Sequence, residues 1–376
     1  MKNFVLTSES VTEGHPDKLC DQVSDAVVDA YLTAGSRAGV IAECAVTSGV
    51  MFLSVRAGQE APVDLASLAR RMMAEVGYPD RAPTVMLDLA VSPDLAPEAL
   101  AANRARHMVS AFGYACAGSN TAMPYPIEAA HRIVAAIDVA RREGRIPWIA
   151  PDAQAQVAAR FENRMPVDLE AVALNFGHTA TPSLEVMQRD LLDEVLRPAL
   201  DFGPVGLTDD VRLIYLPAES PAGPGVHSGL TGRKSADDAY GSFVRRSGPS
   251  LCGKDPSRID RIAAYAARQA ALAVVTAGLA RECEVQLSYM IDDATPVTVE
   301  VDTYESGTLA DAALSNRLHK LFDFRPGAIA ERMELWDQPA RHGGRFYAEL
   351  ARYGQMGRND VAPPWEDVRE LADALA

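Results

Sequence analysis

Apolar residues recur every three to four positions at Leu19, Val23, Val27 and Tyr31, at Ile127, Ala130, Val134 and Ile137, and at Leu184, Met187, Leu191 and Val195. The same spacing runs through residues 257–281, so four helices with one buried face each are predicted. Between them, β-rich runs at 40–46 and 50–56 flank Ser48-Gly49, a hairpin signal, and 83–89, 211–216, 283–291 and 297–304 read as further strands. Strands and helices in such short alternation suggest α+β layers. Pro- and Gly-rich breaks near 92–97 and 217–232 divide the chain into an N-terminal α+β domain (1–97), a central one (98–222) and a C-terminal one (223–376). The last fifteen or so residues are polar, and read as a helix or a frayed tail.

Composition narrows the class of partner. A chain of 376 residues exceeds one ordinary core, and a net charge of -15 would repel nucleic acid and anionic membranes alike. The five cysteines are scattered and form no C-x-x-C pair, so neither a disulfide framework nor a zinc site is suggested. The longest apolar segment, Ala270 to Ala280, is too short to cross a bilayer, and a cytoplasmic protein is expected.

Candidate chemistry gathers in two places. In Thr7-Ser8-Glu9-Ser10-Val11-Thr12-Glu13-Gly14-His15-Pro16-Asp17-Lys18, Pro16 suits a first helical turn, which puts His15 and Asp17 at the positive end of a helix, where an anion or its metal could sit. A capped surface helix is the plainer alternative. The window 227–268 holds eight Lys and Arg against four Asp in a chain that is otherwise acidic. Within it, the loop Gly229-Leu230-Thr231-Gly232-Arg233-Lys234 offers backbone N–H groups beside two cations, a cradle for phosphate oxygens or simply a solvated basic loop. Gly248 to Lys254 matches the spacing of a Walker A loop, but Asp255 stands where a Ser or Thr would be needed, so that reading is rejected. Lys254 then precedes a helix expected to be capped by Ser257, with Arg258 and Asp260 facing the same anionic ligand, the carboxylate through a hard cation such as Mg²⁺.

Taken together, TSESVTEGHPDK at 7–18, GLTGRK at 229–234, GKDPSRIDR at 253–261, and YAAR, AGLA and CEVQLSY between 265 and 289 resemble the signature stretches of the S-adenosylmethionine synthetase family. FGYA at 112–115, HR at 131–132, PW at 147–148 and PDA at 151–153 extend the likeness from about residue 3 to residue 365. The resemblance implies three similar α+β domains related by a pseudo-threefold, dimers with active sites between subunits, and often a pair of dimers. It implies attack of methionine sulfur on C5′ of ATP, departure of tripolyphosphate and its cleavage to pyrophosphate and phosphate. Carried over residue by residue, His15 would donate to the oxygen leaving C5′, Arg233, Lys234, Lys254 and Arg258 would hold the triphosphate, and Asp152 and Gln154 would contact the nucleotide. Asp17 and Asp260 would bind Mg²⁺, as two ions, and Glu43 would match the potassium-site acid. Arg56, His107, His227, Arg258 and Ile291 would surround the acceptor.

The departures from the family pattern fall on the organic ligands. The Gly-rich GAGDQG segment before FGYA is here Arg104-Ala105-Arg106-His107-Met108-Val109, the acid at the end of the second strand is Arg56, and the acid before GLTGRK is His227. The loop around Ser92-Pro93-Asp94 is shortened, Arg258 replaces a Lys, Gln154 replaces the Lys after PDA, and Ala218-Glu219 stands where the family has an Arg-Phe pair at the adenine. Three readings stay open: S-adenosylmethionine formation with compensated changes, transfer of a nucleoside 5′ group from ATP or another triphosphate to a different small acceptor, or a triphosphate-binding or triphosphate-hydrolysing protein that performs no transfer.

Overall fold

The structure, a computed structural model, describes residues 3–80, 83–100, 103–218 and 222–376. Its eleven described strands form three sheets. In the first, β9 (Gly229–Leu230), β2 (Val40–Thr47), β3 (Val50–Ala57) and β4 (Thr84–Val91) lie in that order, paired antiparallel, antiparallel and parallel. In the second, β1 (Asn3–Val11), β6 (Ile149–Glu162), β7 (Met165–His178) and β8 (Arg212–Pro217) repeat the same three pairings. The third has β5 (Val109–Cys116), β10 (Glu282–Tyr289) and β11 (Thr298–Asp302), antiparallel throughout. One 18-residue helix belongs to each repeat, namely Pro16–Thr33, Tyr125–Arg142 and Ile259–Thr276.

The chain therefore folds as three similar α+β units, as the sequence led us to expect. The sheets are laced together in a cycle: β1 precedes the first long helix but joins the second sheet, β5 precedes the second helix but joins the third, and β9 precedes the third helix but joins the first. The short β9 approaches the start of the first long helix so closely that a Cβ on Gly229 would lie 2.1 Å from the Pro16 backbone. Only glycine permits that approach.

The predicted strands and helices occur where the periodicity put them, and five strands were not foreseen, β1, β5, β6, β7 and β9, nor were the helices Leu65–Glu75 and Asp311–Leu321. β6 does alternate, but its buried positions are mostly Ala153, Ala155 and Ala159 with Val157 and Phe161, and alanine is a poor marker of strands. β6 and β7 turn at Asn163 and Arg164, both with positive φ, the geometry of a tight hairpin. The polar C-terminus ends in a helix, Arg369–Leu375, with Ala372 and Leu375 buried. Among the described residues no helix is long and apolar enough to cross a membrane.

Two apolar clusters hold the fold. One joins the first and third long helices to the first and third sheets, and the other packs the second long helix on β6 and β7. Within the first cluster runs a polar seam. Asp17, Asp21, Asp25 and Asp29 recur every fourth residue on the first long helix, lie on one face, and are all buried. Each accepts backbone N–H groups from a distant loop: Asp17 from Leu230, Asp21 from Gly232, Asp25 from Gly253, and Asp29 from Tyr347 and Ala348. Burial pushes Asp21 and Asp29 up to about 7. This ladder is what fixes the C-terminal loops against the N-terminal helix.

Candidate active site

The ladder's first rung opens onto the site. Pro16 occupies the first helical turn and His15 is the N-cap, its Nδ1 accepting the Asp17 N–H at 3.2 Å. Burial, opposed by the nearby Asp152, lowers the His15 pKa to about 4, so the ring is neutral at physiological pH. With Nδ1 serving as acceptor, the proton of that neutral ring sits on Nε2, as a donor. Asp17 Oδ1 accepts from Leu230 N at 3.0 Å and Oδ2 from Lys234 Nζ at 2.8 Å, with Arg233 Nη1 3.6 Å from Oδ1. Burial alone would raise this carboxyl, but the hydrogen bond and charge of Lys234 outweigh it and hold the pKa below the usual value.

The GLTGRK loop contributes its cations and not its backbone. Leu230 N and Gly232 N are spent on Asp17 and Asp21, and Thr231 N on Cys44 O, so the expected cradle of free N–H groups is not there. Its glycines and amides are used to seat the loop on the helix, leaving Arg233 half exposed and Lys234 at the site.

The second loop is built the same way. Gly253, at φ +73°, sits against β2 so tightly that a Cβ would meet Ala42 O at 2.0 Å, and its N–H goes to Asp25. Lys254 follows, bridged to Ile41 of β2, while the fully buried pair Arg261–Asp25 holds it from behind through Arg261 Nη1 to Lys254 O at 2.7 Å. Asp255, the residue that excluded a Walker A loop, accepts from Val40 N and Ser257 N and so stitches the turn to β2. Ser257 is not the cap: the helix starts at Ile259 after Arg258, and Asp255 takes over the role of holding the turn. Asp260 Oδ2 lies 3.2 Å from Lys254 Nζ and 3.8 Å from Arg258 Nη2. Burial lowers the Lys254 pKa despite that carboxylate. Nε of Arg258 is buried and finds no hydrogen-bond partner among the described residues.

Other expected site residues fall around these two loops. Asp152 Oδ2 accepts from Gly223 N and from His227 Nε2, both at 2.8 Å, and the His227 ring stands 5.0 Å from that of His15. The Asp152 hydrogen bond raises the His227 pKa against the effect of its partial burial. Gln154 turns to Glu9, donating from Nε2 at 2.9 Å. Burial and the charge of Arg258 lower the pKa of His107, which also feels Asp260 and Lys254. Arg56, on β3, is opposite Ile41, with Lys254 bridged to Ile41 on the far side. Glu43 is exposed on β2 opposite Ser54, on the same face of the sheet as Arg56. Ala218 is half-buried after β8, while Glu219 lies outside the described residues.

A cavity of about 840 Å³ opens beside the Lys254–Arg258 loop and not around the charged groups. Arg106, Ser257 and Ile291 line it, whereas His15, Asp17, Lys234 and Lys254 do not. We take the two carboxylate–cation groups, Asp17 with Arg233 and Lys234 and Asp260 with Lys254 and Arg258, as the candidate chemical centre, because the cavity walls carry both signs without a focus. Sequence reasoning missed the residues that aim this centre, Asp21, Asp25 and Arg261. The signal was present as the four-residue spacing of aspartates in an otherwise apolar helix.

Comparison with known proteins agrees along the whole chain. Family models described as the N-terminal, central and C-terminal domains of S-adenosylmethionine synthetase match residues 3–92, 102–218 and 222–367. The S-adenosylmethionine synthase of Synechococcus sp. (strain CC9311) is 38% identical, over 100% of this chain and 97% of the relative. Those of Synechococcus elongatus and Prochlorococcus marinus are 37% and 38% identical, again over 100% of this chain. The first alignment runs over 406 positions, more than the 376 residues of this chain, so the relative carries segments that this chain lacks.

Proposed function

The chain belongs to the S-adenosylmethionine synthetase family, and from that membership we infer that it converts ATP, L-methionine and water to S-adenosylmethionine, phosphate and pyrophosphate. The observation that carries this reading at the level of chemistry is the pairing of two cations with a carboxylate in each of two loops, Arg233 and Lys234 with Asp17 beside a neutral His15, and Lys254 and Arg258 with Asp260. A thioether is already nucleophilic and carries no proton to lose, so a general base is unnecessary. The barrier lies in the charge that gathers on the departing triphosphate, and fixed cations lower it.

In this reading His15 donates its Nε2–H to the 5′ oxygen as it leaves. A neutral donor suits this step, because the hydrogen bond strengthens as the oxygen becomes anionic. Arg233, Lys234, Lys254 and Arg258 take the triphosphate oxygens, and the orphaned Nε–H of Arg258 supports this because a buried donor without a partner is costly unless a ligand supplies one. Asp17 and Asp260 are hard oxygen donors flanked by phosphate-binding cations, a set that fits Mg²⁺ held between carboxylates and phosphate oxygens. Two such ions would neutralise charge on the triphosphate. Asp152 and Gln154 border the nucleotide. Arg56, His107, His227 and Ile291 border the acceptor, and three of these four present cationic or imidazole groups, so they would hold the carboxylate of methionine in preference to its ammonium.

The same reading makes the protein a homo-oligomer, a dimer or a pair of dimers. The outer face of the first sheet exposes Val50, Phe52, Met86 and Leu230, and its neighbours Arg56 and Lys254 belong to the site. A contiguous apolar face rimmed by charge is characteristic of an interaction surface. Glu43 on that face offers one carboxylate for K⁺, whose remaining ligands a second subunit would complete. Neither a different acceptor nor binding without turnover is better supported, since the relatives compared carry the synthase name.

The test is direct. Purified protein is incubated with ATP, Mg²⁺ and K⁺, with and without methionine, and followed by mass spectrometry and phosphorus NMR. A methionine-dependent sulfonium product with stoichiometric phosphate and pyrophosphate is expected; tripolyphosphate cleavage without that product would overturn the assignment of methionine.

A further inference from the structure

We propose that His15, Asp152 and His227 form a site for a zinc-type cation at the rim of the phosphate cluster, filled when nucleotide is absent and incompatible with turnover. One ring nitrogen of each histidine and a carboxylate oxygen of Asp152 lie within 4.8 Å of one another. Two imidazoles and one carboxylate are the ligand set of open zinc sites, in which three protein ligands leave the fourth position to water.

The geometry is close to what coordination requires. Tetrahedral ligands at zinc bond lengths of about 2.0–2.1 Å stand roughly 3.3 Å apart, and His227 Nε2 is already 2.8 Å from Asp152 Oδ2. That pair would open by about 0.5 Å to reach the tetrahedral spacing, while His15, whose ring lies 5.0 Å from that of His227 and is tilted by 59° to it, would move in. His227 is 43% exposed, which gives it room to rotate and the ion a path in. Asp152 is oriented by the Gly223 N–H, the kind of outer contact that fixes a metal ligand.

One contact opposes binding. Coordination through Nδ1 of His15 would displace the Asp17 N–H from that lone pair, and coordination through Nε2 would require the ring proton to move to Nδ1, with the same loss. The contact is long, at 3.2 Å, which limits that cost. The simpler account is that His227 and Asp152 are only an ion pair. That account leaves the approach of the second imidazole unused.

The other cluster of metal-binding side chains, Asp21, Asp238 and Cys252, is closed to a cation because Lys18 Nζ lies 3.1 Å from Asp21 and 2.5 Å from Asp238. Mg²⁺ would not compete at the histidine site, since it takes oxygen ligands in near-octahedral geometry. The incompatibility with turnover rests on the proposed function: a metal on His15 removes the donor intended for the leaving oxygen.

The test uses the full-length protein without nucleotide. Zn²⁺ is titrated against a chromophoric chelator in excess Mg²⁺, and Co²⁺ is followed by visible absorption. One equivalent bound with low-micromolar or tighter affinity is expected, weakened at least tenfold in both His227→Gln and Asp152→Asn. His227→Gln keeps a hydrogen-bonding group at a half-exposed position, so its fold should survive, and circular dichroism checks this. No binding below 100 µM, or equal binding in wild type and both variants, would overturn the proposal. The binding needs no substrate, so a failed activity assay leaves this result standing, and the reverse also holds.

Discussion

The neutrality of His15 can be measured as stability. His15→Asn removes the titrating ring but retains an oxygen that can cap the Asp17 N–H, so the two proteins should differ mainly in proton binding. The His15 pKa lies at about 4 when folded, against 6.5 when unfolded. Between those values the unfolded chain binds more protons than the native one, so His15 makes the wild type lose stability as pH falls from 6.5 to 4, with little change above or below that window. At pH 4 the linkage expression gives about 3 kcal/mol of loss relative to pH 8. The buried carboxyls raised to about 7 and the buried His131, lowered to about 3, also shape the wild-type curve. They are common to both proteins and cancel in the difference. Urea unfolding of wild type and variant from pH 8 to pH 4 should show their stability difference shifting by about 3 kcal/mol in favour of His15→Asn. Histidine NMR should show one resonance with a midpoint near 4, absent from the variant. A flat difference, with the missing resonance titrating at or above 6.5, would refute the buried neutral donor.

Other perturbations test separate links. Arg261→Met strands the buried Asp25 carboxylate and should cost about 3–5 kcal/mol in chemical unfolding, with a weaker hold on Lys254; a loss below 1 kcal/mol would show that the pair does not organise the loop. Asp17→Asn and Asp260→Asn should each raise the Mg²⁺ concentration needed for half-maximal activity by tenfold or more. An unchanged metal dependence in both would remove them as ligands. Phe52→Asp, on the exposed face of the first sheet, should shift light-scattering mass toward the 40.3 kDa single chain and lower activity at least tenfold, whereas an unaltered assembly would place the subunit contact elsewhere.

Much of the fold is written locally, as the helix Pro16–Thr33 shows: an apolar stripe, Pro16 at its start and a histidine cap are all within a few residues. The hairpin at Ser48-Gly49 is equally local. β6 escaped because its inward positions are mainly alanine, and the exchange of β1, β5 and β9 between sheets escaped because pairing over more than a hundred residues leaves no mark in local spacing. At the site, His15, Asp17, Lys254 and Asp260 were legible from charge and helix position. The occupation of the GLTGRK amides was not, since it depends on aspartates two hundred residues away. The pairing of His227 with Asp152 was equally hidden, because only the third dimension brings those loops together.

The most direct test of the site is a single-turnover measurement on His15→Ala, with the rate of S-adenosylmethionine formation and the affinity for tripolyphosphate determined on the same preparation. If His15 donates to the leaving oxygen, the transfer rate should fall by about a hundredfold or more, within the range found for one donor aimed at developing charge, while tripolyphosphate affinity changes by less than about threefold. Equal losses in rate and affinity would make His15 a binding residue and contradict its role in the transfer step.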